Sequence, residues 1–147
     1  MLAPSIQRLF GADPFAAEIA AFRAADRVAP PPEGAMLFAG SSSIRMWEGL
    51  AQDMAPFQVV NRGFGGSSIP DVVRHFSTVA ALSNPRAIVF YAGDNDLESG
   101  RSAQRIVRSF ERFMQLKTAR FGPVPVLFVS IKPAPARAQF RAVREEV

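Results

Sequence analysis

Three short stretches of this sequence gather hydroxyl, amide and glycine residues in types suited to attack on an electrophilic carbon and to holding the negative charge that results. The first is Gly40-Ser41-Ser42-Ser43-Ile44, a glycine and a hydroxyl cluster at the mouth of a helix. A serine on such a turn exposes its oxygen near backbone N–H groups and the positive end of the helix dipole. The same letters also make an ordinary serine N-cap. The second stretch is Asn61-Arg62-Gly63-Phe64-Gly65-Gly66-Ser67-Ser68. Three glycines within four positions let the backbone turn sharply and bring N–H groups against a ligand, as phosphate loops and oxyanion holes both require. No Gly-Lys-Ser/Thr follows, which excludes a Walker loop and leaves a plain flexible connection as the other option. The third, Tyr91-Ala92-Gly93-Asp94-Asn95-Asp96, sets a polar cluster behind a glycine, with Asn95 as a side-chain amide donor. Turn chemistry alone accounts for it equally well.

What could bring the three together is the arrangement of elements around them. Four apolar runs, 36–39, 59–60, 87–91 and 124–131, read as strands buried on both faces. Helical character falls between them, at about 44–53, 69–82 and 102–119. An earlier amphipathic helix is predicted at 14–27, with Phe15, Ile19 and Phe22 on one face and Asp13-Pro14 at its start. The run 29–34 contains three successive prolines and serves as a stiff connector. Residues 135–147 predict a last helix carrying Phe140 and Val143 on one face. Strand and helix alternate, which implies βαβ units with right-handed crossovers and a parallel sheet: an α/β, three-layer αβα sandwich in one domain, 1–147. Ligands of such sheets bind beyond the carboxyl ends of the strands. All three stretches sit at those ends, so a hydroxyl, a backbone donor and an amide are expected to share one crevice.

In that order and strand context the three stretches resemble blocks I, II and III of the SGNH (GDSL-type) hydrolases, over roughly residues 35–133. The Gly-Ser-Ser-Ser-Ile-Arg form, the Tyr-Ala-Gly-Asp-Asn-Asp stretch and Ile131-Lys132-Pro133 are similar to the small esterases of the platelet-activating-factor acetylhydrolase-like branch. The resemblance implies a flavodoxin-like sheet and a serine ester hydrolase, acylesterase or lipase-like, acting on a small-molecule ester without cofactor or metal. Position by position, Ser42 matches the nucleophile. Its own N–H, the N–H of Gly66 and the carboxamide of Asn95 match the oxyanion-hole donors. Ser41 departs from the pattern, standing where Gly-Asp-Ser has aspartate.

A larger departure concerns the general base. The family takes its aspartate and histidine from an Asp-x-x-His block after a fifth strand, and no Asp-x-x-His occurs in these 147 residues. His75 is the sole histidine. It follows Asp71 by four residues on a predicted helix, where the two would meet as a surface pair away from Ser42. The expectation is therefore the N-terminal portion of an SGNH domain, either cut short at its C-terminus or completed by something outside the chain. Its fourth strand would be left as a bare sheet edge, and the chain alone would show little or no turnover.

Composition narrows the rest. The chain is 48% hydrophobic and 20% charged, with no cysteine, so disulfide scaffolds and cysteine zinc sites are excluded and a histidine metal cluster is not expected. No apolar run approaches the length of a membrane span, and no basic leader precedes an apolar core, which makes the cytoplasm the default compartment. A net charge of +4 suits solubility more than nucleic-acid binding. Arg101, Arg105, Arg108 and Arg112 do form a helical stripe opposite Ile106, Phe110, Phe113 and Met114. A solvated basic face is the expected reading, since no aromatics interleave for base stacking. A non-catalytic, flavodoxin-like binding domain keeps the same fold and is the other alternative. Trp47 and Phe64 lie close enough in sequence to the expected mouth to line an acyl or alcohol pocket or simply to pack.

Overall fold

The middle of the sheet is β1 (Met36–Gly40), which pairs in parallel with β2 (Val59–Gly63) on one side and β3 (Ala87–Tyr91) on the other. Strand β4 (Val126–Phe128) continues the parallel pairing from β3, so the order is β2-β1-β3-β4. A computed structural model describes residues 11–147. The leader reading rests largely on residues 1–10, outside the described residues. The helices are α1 (Ala16–Val28), α2 (Ser42–Arg45), α3 (Leu50–Asp53), α4 (Ile69–Arg74), α5 (Phe76–Val79), α6 (Asp94–Glu98), α7 (Ala103–Phe121) and α8 (Arg141–Glu146), with a 3₁₀ turn at Pro135–Phe140. The architecture is the expected parallel α/β sandwich, and β1/β3 is its switch point, where the chain reverses its direction of progress across the sheet.

Alternation along the strands sends side chains to two unequal cores. Leu37, Ala39, Ile88 and Phe90 join Ile19, Ile69, Val72, Ile106 and Phe113 in the larger one, under α1, α4, α5 and α7. The opposite face turns Phe38, Val89 and Tyr91 onto Ile44 and Leu50 of the short helices α2 and α3. Phe90 and Phe113 anchor the larger core with ring centroids 4.5 Å apart, and aromatic pairs of this kind add to what their buried area contributes. The thinner layer leaves Leu127 64% exposed on β4, which lies at the sheet edge. No helix among the described residues is long and apolar enough to cross a membrane.

Several elements differ from the sequence expectation for local reasons. The helix expected at 44–53 is two single turns, and that at 69–82 breaks where His75 leaves helical geometry (φ −97°, ψ 15°). There the ring turns inward against Phe15 and Phe64. The fourth strand shrinks from 124–131 to three residues, Val126–Phe128. Buried Lys117 on α7 donates from Nζ to the carbonyls of Gly122 (3.0 Å) and Val124 (2.9 Å), capping the helix and fixing the turn that leads into β4. Asp13 is not the N-cap of α1; its Oδ1 accepts from Phe15 N–H, one residue earlier than the helix begins. Helix α7 starts at Ala103, so Arg101 precedes the helix instead of opening its stripe.

One glycine shows how tightly the sheet closes at its carboxyl edge. Gly40 has φ +143°, and a Cβ there would run into the Tyr91 carbonyl. Gly34 has φ +71° with open space around it. Gly34→Ala is therefore expected to cost about 1–2 kcal/mol for the left-handed backbone alone. Gly40→Ala should cost clearly more because strain and collision add. Urea unfolding of the two variants checks this, and equal losses would contradict the close approach of β1 and β3.

Candidate active site

Gly40, at the end of the central strand, is where the three sequence stretches meet. Its carbonyl accepts from Phe64 N–H (3.1 Å) and from Ser67 Oγ (3.2 Å), tying the glycine loop after β2 to β1. On the other side, Ser41 N–H donates to the Tyr91 carbonyl at 3.0 Å, tying β1 to the end of β3. Asn61 fastens the remaining corner: its Nδ2 donates to the Ile44 carbonyl (2.7 Å), and its Oδ1 accepts from Gly63 N–H (2.9 Å). Gly63 lies so close to α2 that a Cβ would strike the backbone of Ile44 and Arg45.

Ser42 is the first residue of α2, half-buried, following the fully buried Ser41. Gly66 is exposed in the left-handed region (φ +76°), with nothing near its α-carbon's open side. Among the described residues, no acceptor takes the N–H of Ser42 or of Gly66, so both remain available as donors. Asn95 opens toward the same loop, since its Nδ2 donates to the Ser67 carbonyl at 2.9 Å. Its Oδ1 accepts from Arg137 Nη2 at 3.4 Å, which fixes which end of the carboxamide faces the loop. One N–H of that amide is spent on Ser67 and the other is left for a further acceptor.

Two side chains to which sequence reasoning gave no site role belong to this neighbourhood. Lys132 donates from Nζ to Ser43 Oγ (2.8 Å) and sits 5.8 Å from the Tyr91 ring centroid. Burial, and then the Asp94 carboxylate, push the Tyr91 phenol above its usual range. Arg137 pairs with Asp94 (3.0 Å) and Glu98 (2.6 Å) while it holds Asn95. Lys132 follows the fourth strand, so the strand-end rule that found the other residues would have found it too. Arg137 carried no such signal. A third contributor is Glu18 on α1, whose Oε1 accepts the Gly65 N–H at 3.1 Å and lies 3.5 Å from Arg45.

His75 corrects the expectation of a surface pair with Asp71. Its side chain is only 12% exposed, and Nε2 lies 3.1 Å from Asp13 Oδ2, off the line of a hydrogen bond. Asp71 instead closes a capping box with Ser68 at the start of α4. Phe64 is wholly buried against Phe15, and Trp47 packs edge-on to Phe38 while its Nε1 donates to Asp53. Phe64 is therefore core, and Trp47 is engaged at the α2/α3 layer.

A search of solved structures finds the same fold elsewhere. A candidate platelet activating factor from Streptococcus pneumoniae superposes with a TM-score of 0.73 at 17% identity, over 86% of this chain and 58% of the other. A GDSL-like lipase from Bacteroides thetaiotaomicron gives 0.67 at 17% identity, over 88% of this chain and 67% of its own. The fold is SGNH hydrolase-like. A candidate acylhydrolase from Bacteroides fragilis agrees, with a TM-score of 0.66 at 18% identity over 82% and 66% of the two chains. This chain thus spans 58 to 67% of the length of these three structures. No protein-family model and no curated protein matches it.

Next to Asn95, Asp96 is fully buried and braces the floor of the site. Its Oδ2 accepts from Ile69 N–H at 2.9 Å, and its Oδ1 pairs with Arg101 at 2.8 Å. Burial pushes its carboxyl upward, against the downward pull of Ile69 and Arg101. An acid with a raised folded pKa is favoured by folding in its protonated form. Its contribution is then greatest below the unfolded pKa and falls as pH rises through the folded one. Asp96→Asn, neutral at every pH, is expected to lag the parent by more at about pH 3 than at about pH 7. Urea unfolding at both pH values measures this, and a deficit that grows toward neutrality would contradict the sign.

Proposed function

We propose that this chain is the nucleophile-bearing portion of a serine ester hydrolase. Ser42 Oγ attacks the carbonyl carbon of a small ester. The Ser42 N–H, the Gly66 N–H and the free N–H of Asn95 take the charge that develops on the carbonyl oxygen. Collapse of that intermediate breaks the bond to the alcohol, which leaves with a proton, and water then releases the acid from Ser42. The observation that carries this reading is the network at Gly40, which fixes the ends of three adjacent strands against one another with two backbone donors unclaimed. Preorganised donors act where charge develops, and losing one costs about 10²–10³ in rate in enzymes where it has been measured.

Proton removal from Ser42 is the missing part. His75 is buried near Asp13 and packed against Phe15 and Phe64, and the sequence holds no second histidine. The Asp/His pair of this reading has to come from outside these residues, so the chain alone is proposed to be nearly inactive. The similarity of the fold to a lipase and an acylhydrolase supports ester chemistry over ligand binding alone.

A fluorophosphonate probe tests the assignment without a named substrate. Prolonged incubation is expected to label Ser42 alone, located by peptide mass spectrometry. The rate should be about 10⁴-fold or more below that of a complete triad enzyme. Ser42→Ala should abolish labelling, and Asn95→Ala should slow it by about a further 10²-fold. Label on Ser43 beside Lys132, or triad-like ester turnover by this chain alone, would overturn the assignment.

A further inference from the structure

Away from Ser42, a cleft of about 430 Å³ runs between α4 and α7. Pro70 and Val73 line it on the α4 side, and Arg101, Arg105, Arg108 and Arg112 line it on the other. The solvated basic face expected from sequence is thus one wall of a groove with an apolar opposite wall. The charges on that wall are poorly matched. Arg101 is paired with Asp96 at 2.8 Å, whereas Arg112 donates only to the neutral Gln115 at 3.2 Å. Arg105 and Arg108 have no ion pair and no side-chain hydrogen bond among the described residues. Asp71 is held in the Ser68 cap, and Glu111 and Glu146 border a separate cleft on the far side of Arg108 without forming an ion pair with it among the described residues.

Three guanidiniums without an ion pair among the described residues line this cleft, and they favour an anion that bridges them. On a helix, residues three and four apart stand about 5–6 Å from one another, so neighbours can share one phosphate and the stripe can hold several. Guanidinium forks match phosphate oxygens two at a time. The cleft holds no aromatic side chain, since Phe113 is fully buried and Phe110 packs on Phe90 and Phe128, so bases have nothing to stack on. We infer that the α4/α7 cleft binds a small molecule carrying several closely spaced phosphate groups, gripped by Arg105, Arg108 and Arg112 with its remainder against Pro70 and Val73.

Inorganic tripolyphosphate is the probe, titrated calorimetrically into the protein at low and moderate salt, with orthophosphate and a twelve-residue oligothymidylate in parallel. Saturable one-to-one binding of tripolyphosphate is expected. It should be tighter than that of orthophosphate and weaken as salt rises. Arg105→Ala with Arg108→Ala should weaken it by about tenfold or more, and Arg105→Lys with Arg108→Lys should restore it only in part. Both side chains are exposed, so the variants should keep the parent circular dichroism spectrum and urea midpoint. Absence of saturable binding, indifference to the double alanine variant in a folded protein, or tighter binding of the oligonucleotide would each overturn the inference.

Discussion

The close approach of β1 to β3 at Gly40 and Tyr91 is the constraint on which the rest of this molecule depends. Only a residue without Cβ lets the two backbones come together there. Because they do, Ser41 N–H reaches the Tyr91 carbonyl, and the Gly40 carbonyl is left to receive Phe64 and Ser67 from the other neighbouring strand. Parallel strands with helical crossovers bring their carboxyl ends to one edge in any case. The hydrogen bonds at Gly40 convert that shared edge into fixed relative positions for the residues that follow each strand.

Support for this edge comes from farther away. Helix α1 sends Glu18 to the Gly65 N–H, and its Asp26 pairs with the buried Arg62 of β2, whose guanidinium also lies 5.0 Å from the Phe22 ring centroid. On the far side, Asp96 and Arg137 hold the segment carrying Asn95 through buried and half-buried ion pairs. Buried ion pairs add little net stability against an apolar alternative, but removing one partner is costly. Their value here is positional: they hold a glycine loop and a single-turn helix that have little rigidity of their own.

Strand and helix alternation, the parallel sheet and the three strand-end stretches were all legible in the sequence, because burial on both faces writes continuous apolar runs and sharp turns demand glycine. Boundaries were less legible where a tertiary contact overrode local pattern. Lys117 turns inward to claim the Gly122 and Val124 carbonyls at the turn into β4, and the inward turn of His75 divides the helix around it. Both residues look polar and surface-bound in sequence and are drawn inward by partners remote in the chain or across a turn. Arg137 escaped notice for the same reason: its partners Asp94, Asn95 and Glu98 lie some forty residues earlier. The arginine stripe was visible, but the opposite wall that makes it a cleft was not.

The proposed oxyanion hole requires that the Ser42 N–H, the Gly66 N–H and the Asn95 side-chain amide surround one point beside Ser42 Oγ. The most direct measurement is the ¹⁵N–¹H spectrum of the labelled protein before and after phenylboronic acid is added, since a serine boronate presents a negatively charged oxygen where the oxyanion would stand. The account predicts that those three N–H signals move downfield together while the core amides stay in place. A boronate adduct at Ser42 that leaves Gly66 and Asn95 unmoved would contradict it.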